Sequence, residues 1–169
     1  MSVPEGVVLR PAVAADAEAG ADLHLACWRE AYGPLVGREQ LEARLHDRQR
    51  WVDAWHAQLA DGPPRTVAES RDGDLVGFAV VGENRDGTKV SGRVAPYELY
   101  AVYTRERWWG SGLGQALLDA VLPDGATSLW VLEDNHRAQG FYARNGFVPD
   151  GAREHYAGLD CWEIRMVRP

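Results

Sequence analysis

Apolar positions along the chain alternate between two spacings, and each change of spacing marks an element. Val7-Val8-Leu9 predicts a short strand that stops at Pro11. Asp16 stands where a helix cap is expected, with Glu18 in the first turn. Ala19, Leu23, Ala26 and Cys27 predict the core stripe of that helix, and His24, Trp28 and Tyr32 recur along a neighbouring face. Gly33-Pro34 ends it. Residues 38–60 predict one or two helices with Trp51, Val52, Trp55 and Leu59 on one side, broken by Asp61-Gly62-Pro63-Pro64. A hairpin follows, with strands Thr66–Ser70 and Leu75–Gly82 about the turn Arg71-Asp72-Gly73-Asp74. Asn84–Gly92 is polar and reads as an exposed loop. Tyr97–Tyr103 predicts a strand, and Gly110–Leu122 a helix with Leu113, Ala116, Leu117 and Ala120 on one face. Thr127–Leu132 predicts a strand, Asn135–Asn145 a helix, and Phe147 begins the last strands, Cys161–Val167 among them. This order implies an α/β fold of the α+β type. A mostly antiparallel sheet carries the helices, in one domain over residues 7–169.

Composition narrows the class. The 169 residues are 46% hydrophobic and 25% charged, as in a water-soluble globular protein. No apolar run approaches the ~20 residues of a membrane span, so no membrane partner is expected. Met1–Arg10 lacks the basic start and apolar stretch of a secretory signal. Cys27 and Cys161 are too few and too separated for a disulfide framework or a zinc site, so the expected home is the cytoplasm and no metal is expected. A net charge of −7 and a pI near 5.2 exclude the basic face of a nucleic-acid binder. The same charge attracts small cationic substrates such as amines. A homodimer stays open.

The most informative stretch is Val102-Tyr-Thr-Arg-Glu-Arg-Trp-Trp-Gly-Ser-Gly-Leu-Gly114, a strand passing through a glycine-rich turn into a helix. Glycines let backbone approach a ligand closely, and a helix start aims free N–H groups at one spot, which suits phosphate. Tight packing alone would also explain such a turn. A P-loop would need Gly-Lys-Ser/Thr where Gly114-Gln115-Ala116 stands. A dinucleotide fold would place its glycine turn after the first strand, whereas this one falls late.

These residues resemble the GNAT superfamily of N-acetyltransferases, whose signature is Gln/Arg-x-x-Gly-x-Gly/Ala at a strand-to-helix turn. Trp109-Gly-Ser-Gly112-Leu-Gly114 matches in its glycines, with Trp109 at the Gln/Arg position and Thr104 where many members have proline. Asn135-His-Arg-Ala138-Gln-Gly-Phe141-Tyr142-Ala-Arg-Asn-Gly146-Phe147 resembles the family's Asn-x-x-Ala-x-x-Phe-Tyr-x-x-x-Gly-Phe segment, in the right order and at the right interval. The resemblance implies the GNAT fold, with a central sheet of about six to seven strands, helices on both faces and a splay between the fourth and fifth strands. It also implies acetyl-CoA as the co-substrate. Backbone groups of Tyr100, Ala101, Val102, Tyr103 and Thr104 would hold its pantetheine arm, with an N–H near Val102 polarising the acetyl carbonyl. Amides of Trp109, Gly110, Ser111, Gly112, Leu113, Gly114 and Gln115 would take the pyrophosphate. Asn135 would bond the arm, or cap a helix, or both.

Tyr142 is the implied general acid for the departing thiolate, although Ala138, Phe141, Tyr142 and Asn145 also form a packing stripe. Glu98 stands eleven residues before Trp109, where several members carry a base, and it equally fits a solvated strand end. A base is needed because an alkylammonium has a pKa of roughly 10. His24, Trp28 and Tyr32 are candidates to hold a cationic acceptor, with Trp51, Trp55, His155 and Tyr156 weaker candidates on the same logic. The implied activity is acetyl transfer from acetyl-CoA to a primary amine, by direct attack on a small molecule. The alternatives are a non-catalytic acyl-CoA-binding module and an acetyltransferase of protein or peptide amines.

Overall fold

The computed structural model describes residues 3–86, 89–90 and 93–169. Positions 87, 88, 91 and 92 of the expected loop lie outside the described residues. In chain order the elements are β1 (Val7–Pro11), α1 (Ala17–Tyr32), α2 (Arg38–Leu45), α3 (Arg48–Asp61), β2 (Arg65–Ser70), β3 (Leu75–Glu83), β4 (Lys89–Val90) and β5 (Arg93–Val94). They continue with β6 (Tyr97–Thr104), α4 (Leu113–Val121), β7 (Thr127–Leu132), α5 (His136–Arg144), β8 (Val148–Tyr156) and β9 (Cys161–Arg168). The chain forms two compact units. One comprises the chain up to Val81 with Ala101–Val121, the other Gly82–Tyr100 with Leu122–Pro169.

In the first unit β1 runs antiparallel to β2 from Val7↔Ser70 to Pro11↔Thr66. β2 runs antiparallel to β3, with a bulge at Ala68/Glu69. The hairpin turn is closed by Gly73 at φ 84°, whose amide donates to Ser70. Val7, Ala68, Val76, Ala79, Leu113 and Leu117 pack into one core cluster, so α4 lies on these strands through an i, i+4 stripe. Ala120, expected on that face, is exposed, and Leu118 is buried instead. On α1 the expected stripe is rotated: Ala19 is exposed, while Ala17, Gly20, Ala21, Leu23 and Cys27 are buried. The reason is Gly20, whose missing side chain lets the Trp55 ring of α3 lie against the helix. Asp16 precedes α1 without a side-chain cap. Its carboxylate instead takes the Arg10 guanidinium at 2.8 and 2.9 Å and the Val13 amide at 2.8 Å.

In the second unit β6 and β7 are parallel, paired at Tyr97↔Thr127 and Glu98↔Ser128, the first two positions of each strand. β7 and β9 are antiparallel from Thr127↔Arg168 to Leu132↔Glu163, and β8 borders β9 with an irregularity between Pro149 and Arg153. Phe147, Leu99, Leu129 and Met166 are among its buried apolar positions. β6 is common to both units, and the seven-stranded sheet has the order β1-β2-β3-β6-β7-β9-β8. The stretch expected as an exposed loop contains β4, which pairs antiparallel with β5 just beyond it. Among the described residues no helix is long and apolar enough to cross a membrane.

Candidate functional site

The glycine turn is built from the first unit alone. β6 ends as the Arg105 amide donates to Val76 at 3.0 Å, and a 3-10 turn over Glu106–Trp108 follows. Glu30 of α1 anchors it, accepting from Arg105 Nε at 2.8 Å and from the Glu106 amide at 2.6 Å. Gly110 (φ 76°) and Gly112 (φ 90°) occupy the left-handed region. They delay the helix, so α4 starts at Leu113 rather than Gly110. A Cβ on Gly110 would meet nothing within 4 Å, so the turn is open to solvent there.

The first helical bond runs from the Ala116 amide to Gly112. The amides of Gly112, Leu113 and Gly114 therefore precede any carbonyl one turn back. Leu113 leans on Ser111 Oγ at 3.3 Å. The Trp109 and Ser111 amides, expected to face phosphate, donate inside the turn to Glu106 and Trp108. The Trp109 indole donates to the Thr104 carbonyl at 3.2 Å.

The same unit gathers His24, Trp28, Trp51, Trp55, Phe78 and Tyr103 into one aromatic cluster. His24 stands edge-on to Trp51 at 4.8 Å and to Phe78 at 4.9 Å, and lies 5.2 Å from Tyr103. Trp28 meets Trp51 and Tyr32 at 5.1 Å each, and the Tyr32 and Tyr103 hydroxyls bond at 2.6 Å. Trp55 Nε1 donates to His24 Nδ1 at 3.4 Å, which leaves the proton of a neutral ring on Nε2. Desolvation, with Arg65 and Arg44 adding like charge, pushes His24 down to about 3, so it is neutral at physiological pH. Trp28, Trp51 and Trp55 are buried. They present less open surface to a cationic acceptor than their spacing suggested.

In the second unit Glu98 is 1% exposed, and Arg85 occupies its carboxylate. The Arg85 amide donates at 3.0 Å, Nε at 3.1 Å, and Nη2 closes the ion pair. The guanidinium also lies 4.2 Å from the centroid of the Tyr100 ring, whose hydroxyl donates to the Glu83 carbonyl. Glu98 is thus a buried, saturated carboxylate rather than an acid at a solvated strand end.

Asn135 is buried and caps α5, its Oδ1 accepting from the Ala138 amide at 3.1 Å. Tyr142 packs between Phe141 (5.4 Å) and Phe147 (5.8 Å). Burial, slightly offset by Arg137, pushes its phenol up to about 12, so it holds its proton at neutral pH. His155 and Tyr156 are consecutive in β8 and point to opposite sheet faces, so they do not line one site. His155 bonds Asp160 at 2.8 Å.

Three groups escaped the sequence reading: Arg85, Arg65 and Glu163. Arg65 had a usable signal, because it shares strand parity with buried Val67. Glu163 takes its meaning from strand register and Arg85 from the turn after β3, and no local pattern carries either. Among the described residues no group of three or more His, Cys, Asp or Glu is disposed to hold a metal ion.

Comparison with known proteins gives these features a lineage. The family model described as "Acetyltransferase (GNAT) family" matches residues 21–147. An N-acetyltransferase of Mycobacterium tuberculosis is 33% identical over 111 residues, covering 60% of this chain and 65% of the relative. The chain thus spans slightly less than two thirds of that relative's length. The aminoglycoside N(6')-acetyltransferase type 1 of Stenotrophomonas maltophilia is 34% identical over 113 residues, covering 67% of this chain and 63% of that protein. The PaiA N-acetyltransferase of Thermoplasma acidophilum, solved in complex with coenzyme A, superposes with a TM-score of 0.67 at 18% identity, covering 99% of each chain. That likeness concerns the fold. With the family model matched over most of its length, this chain belongs to the GNAT acetyltransferase family.

Proposed function

We propose that this chain is an N-acetyltransferase that moves an acetyl group from acetyl-CoA to a primary amine of a small molecule. The observation that carries this reading is the turn opening α4. Gly110 and Gly112 hold positive φ, and the amides of Gly112 and Gly114 lie ahead of the first helical hydrogen bond. A side chain at Gly110 would stand in open space, so the backbone is accessible to a phosphate. Amides of Gly112, Leu113, Gly114 and Gln115, with Gly110, are the proposed pyrophosphate ligands.

When bound, acetyl-CoA supplies an activated thioester. Backbone of Tyr100, Ala101, Val102, Tyr103 and Thr104 would align its arm, and the Val102 amide would donate to the acetyl oxygen as charge develops there. Asn135 spends Oδ1 on its helix and keeps Nδ2 to donate. Tyr142, protonated at neutral pH, would donate its hydroxyl proton to the leaving sulfur. Glu98 would accept the amine's proton through a water or on release of Arg85, because three Arg85 donors hold its oxygens. The M. tuberculosis and S. maltophilia relatives are named as N-acetyltransferases, the latter as an aminoglycoside N(6')-acetyltransferase. A single N-acetyltransferase domain over residues 7–169 and a cytoplasmic home are part of the same reading.

One observation favours a second reading, a non-catalytic acyl-CoA-binding module: the Glu98 carboxylate is closed by Arg85. Two measurements separate them. Acetyl-CoA at a hundredfold excess over its dissociation constant should stabilise the fold by ~2.7 kcal/mol, against NADH and ATP controls. Gly112→Val should weaken that binding at least tenfold. No stabilisation, or a larger one with a control nucleotide, rejects acetyl-CoA as the co-substrate. CoA release over an amine panel should then fall ~10²-fold in Tyr142→Phe with acetyl-CoA affinity nearly unchanged. Binding without release on any amine selects the module.

A further inference from the structure

Arg65 opens β2 opposite Val80, 9% exposed. Its guanidinium lies 4.5 Å from the centroid of the Trp55 ring and 5.7 Å from that of Phe78. Nε and Nη1 are buried without a hydrogen-bond acceptor, and so is Nε1 of Trp28 in the same aromatic cluster. His24 gives its acceptor nitrogen to Trp55, and its ionised neighbours are cations, Arg65 and Arg44. Desolvation alone holds Arg65 down to about 10, with no carboxylate opposing it among the described residues.

A buried guanidinium with no counter-charge is costly, and buried N–H groups without acceptors add to that cost. Aromatic faces stabilise a cation but leave its N–H edges unsatisfied. Water would satisfy the edges and leave the charge uncompensated. A carboxylate answers both deficits at once, through charge-assisted hydrogen bonds. The cluster that holds Arg65 also reaches β6: Phe78 lies 5.5 Å from Tyr103, within the segment assigned to the acetyl arm.

We propose that Arg65 is a carboxylate-binding residue of the acceptor site, and that the acceptor is an amine that also carries a carboxylate. The substrate class rests on the acetyltransferase reading above. Arg65 itself binds the anion with or without turnover. Trp55 and Phe78 fix the plane of the guanidinium.

The test compares glycine, 4-aminobutanoate and 6-aminohexanoate with their carboxamides, by CoA release and by calorimetric titration without acetyl-CoA. At least one acid should exceed its amide tenfold or more in kcat/KM, chiefly through KM, and should bind calorimetrically where its amide does not. Arg65→Met should erase both differences while leaving the acetyl-CoA thermal shift unchanged, and Arg65→Lys should restore part of them. Ligand-free Arg65→Met should melt no lower than the parent, because it removes an uncompensated charge. Equal use of acids and amides, a preference that survives in Arg65→Met, or no acid binding by titration overturns the proposal. If acetyl-CoA neither binds nor is consumed while an acid still binds through Arg65, the acetyltransferase reading fails and the anion site stands.

Discussion

Two arginines, one in each compact unit, show opposite solutions to the same electrostatic problem. In the second unit the charge buried by the fold is Glu98, and the Arg85 side chain covers it from outside while staying 63% exposed. In the first unit the buried charge is Arg65 itself, held among rings with two nitrogens lacking acceptors. The second unit closes the Glu98 charge from its own sequence, and Arg165 likewise bonds Asp150 at 2.9 Å and Asp86 at 3.4 Å. The first unit is left one anion short. A fold selected only for stability would replace Arg65 with a hydrophobic side chain. A difference of this kind between neighbouring parts of a protein marks where a ligand completes the structure.

The largest expected effect breaks the closed side. Arg85→Met strands a carboxylate that is 1% exposed, and removing one partner of a buried pair typically costs about 3–5 kcal/mol. Because Arg85 is more than half exposed, the lower end applies, about 3 kcal/mol in denaturant unfolding at pH 7. The same change at Arg65 should cost nothing, so the two Arg→Met variants should differ in sign or nearly so. A loss below about 1 kcal/mol for Arg85→Met would mean that solvent reaches Glu98, and the contrast between the units would collapse.

A smaller effect tests how rigidly the aromatic cluster holds Arg65. A Cβ on Gly20 would stand 2.4 Å from Cε3 and Cζ3 of Trp55. Alanine gains up to about 1 kcal/mol over glycine within a helix, whereas overpacking costs about 1–3 kcal/mol. Trp55 is wedged between Phe78 at 5.1 Å and the Arg65 guanidinium, so the clash should win. Gly20→Ala should lose about 1–2 kcal/mol in denaturant unfolding. A neutral or stabilising result would show that the Trp55 ring yields, and that Arg65 is less fixed than its stacking implies.

These contrasts explain what could be read in the sequence. Thr127–Leu132 was legible to the residue because a buried strand bounded by turn residues has one interpretation. The glycine turn was legible because glycine is chosen for conformation, and conformation is local. The start of α4 was misplaced by three residues for the same reason: Gly110 and Gly112 belong to the turn that delays the helix. The stripe of α1 was misread because Gly20 looks like a weak helix residue until the ring of Trp55 is set against it. The Arg85–Glu98 pair joins residues thirteen apart, and Glu163 meets Glu154 only through the register of β8 and β9. Charge partners set by register leave no periodic trace.

The smallest expected effect is a pH dependence that sets one group of each unit against the other. Glu163 lies on β9 directly across from Glu154 of β8. Burial first, then the like charge of Glu154, pushes its carboxyl up to about 7 from 4.5, with Arg85 opposing. A carboxyl raised in the folded state favours folding while protonated. Its contribution is complete below pH 4.5 and is lost as pH rises toward 7. His24, pushed down to about 3 from 6.5, acts in the other direction. Its contribution is complete above pH 6.5 and is lost as pH falls toward 3. Glu163→Gln should therefore melt higher than the parent on the alkaline side, by about 1 kcal/mol at pH 8 once the solvent reaching this half-buried group is allowed for. The two melting curves should converge near pH 5, and the fall on the acid side should persist in both, because His24 is untouched. Melting temperatures that run parallel from pH 5 to 8.5 would mean that Glu163 titrates as a solvated acid, and that the second unit closes its charges on β9 as completely as it closes Glu98.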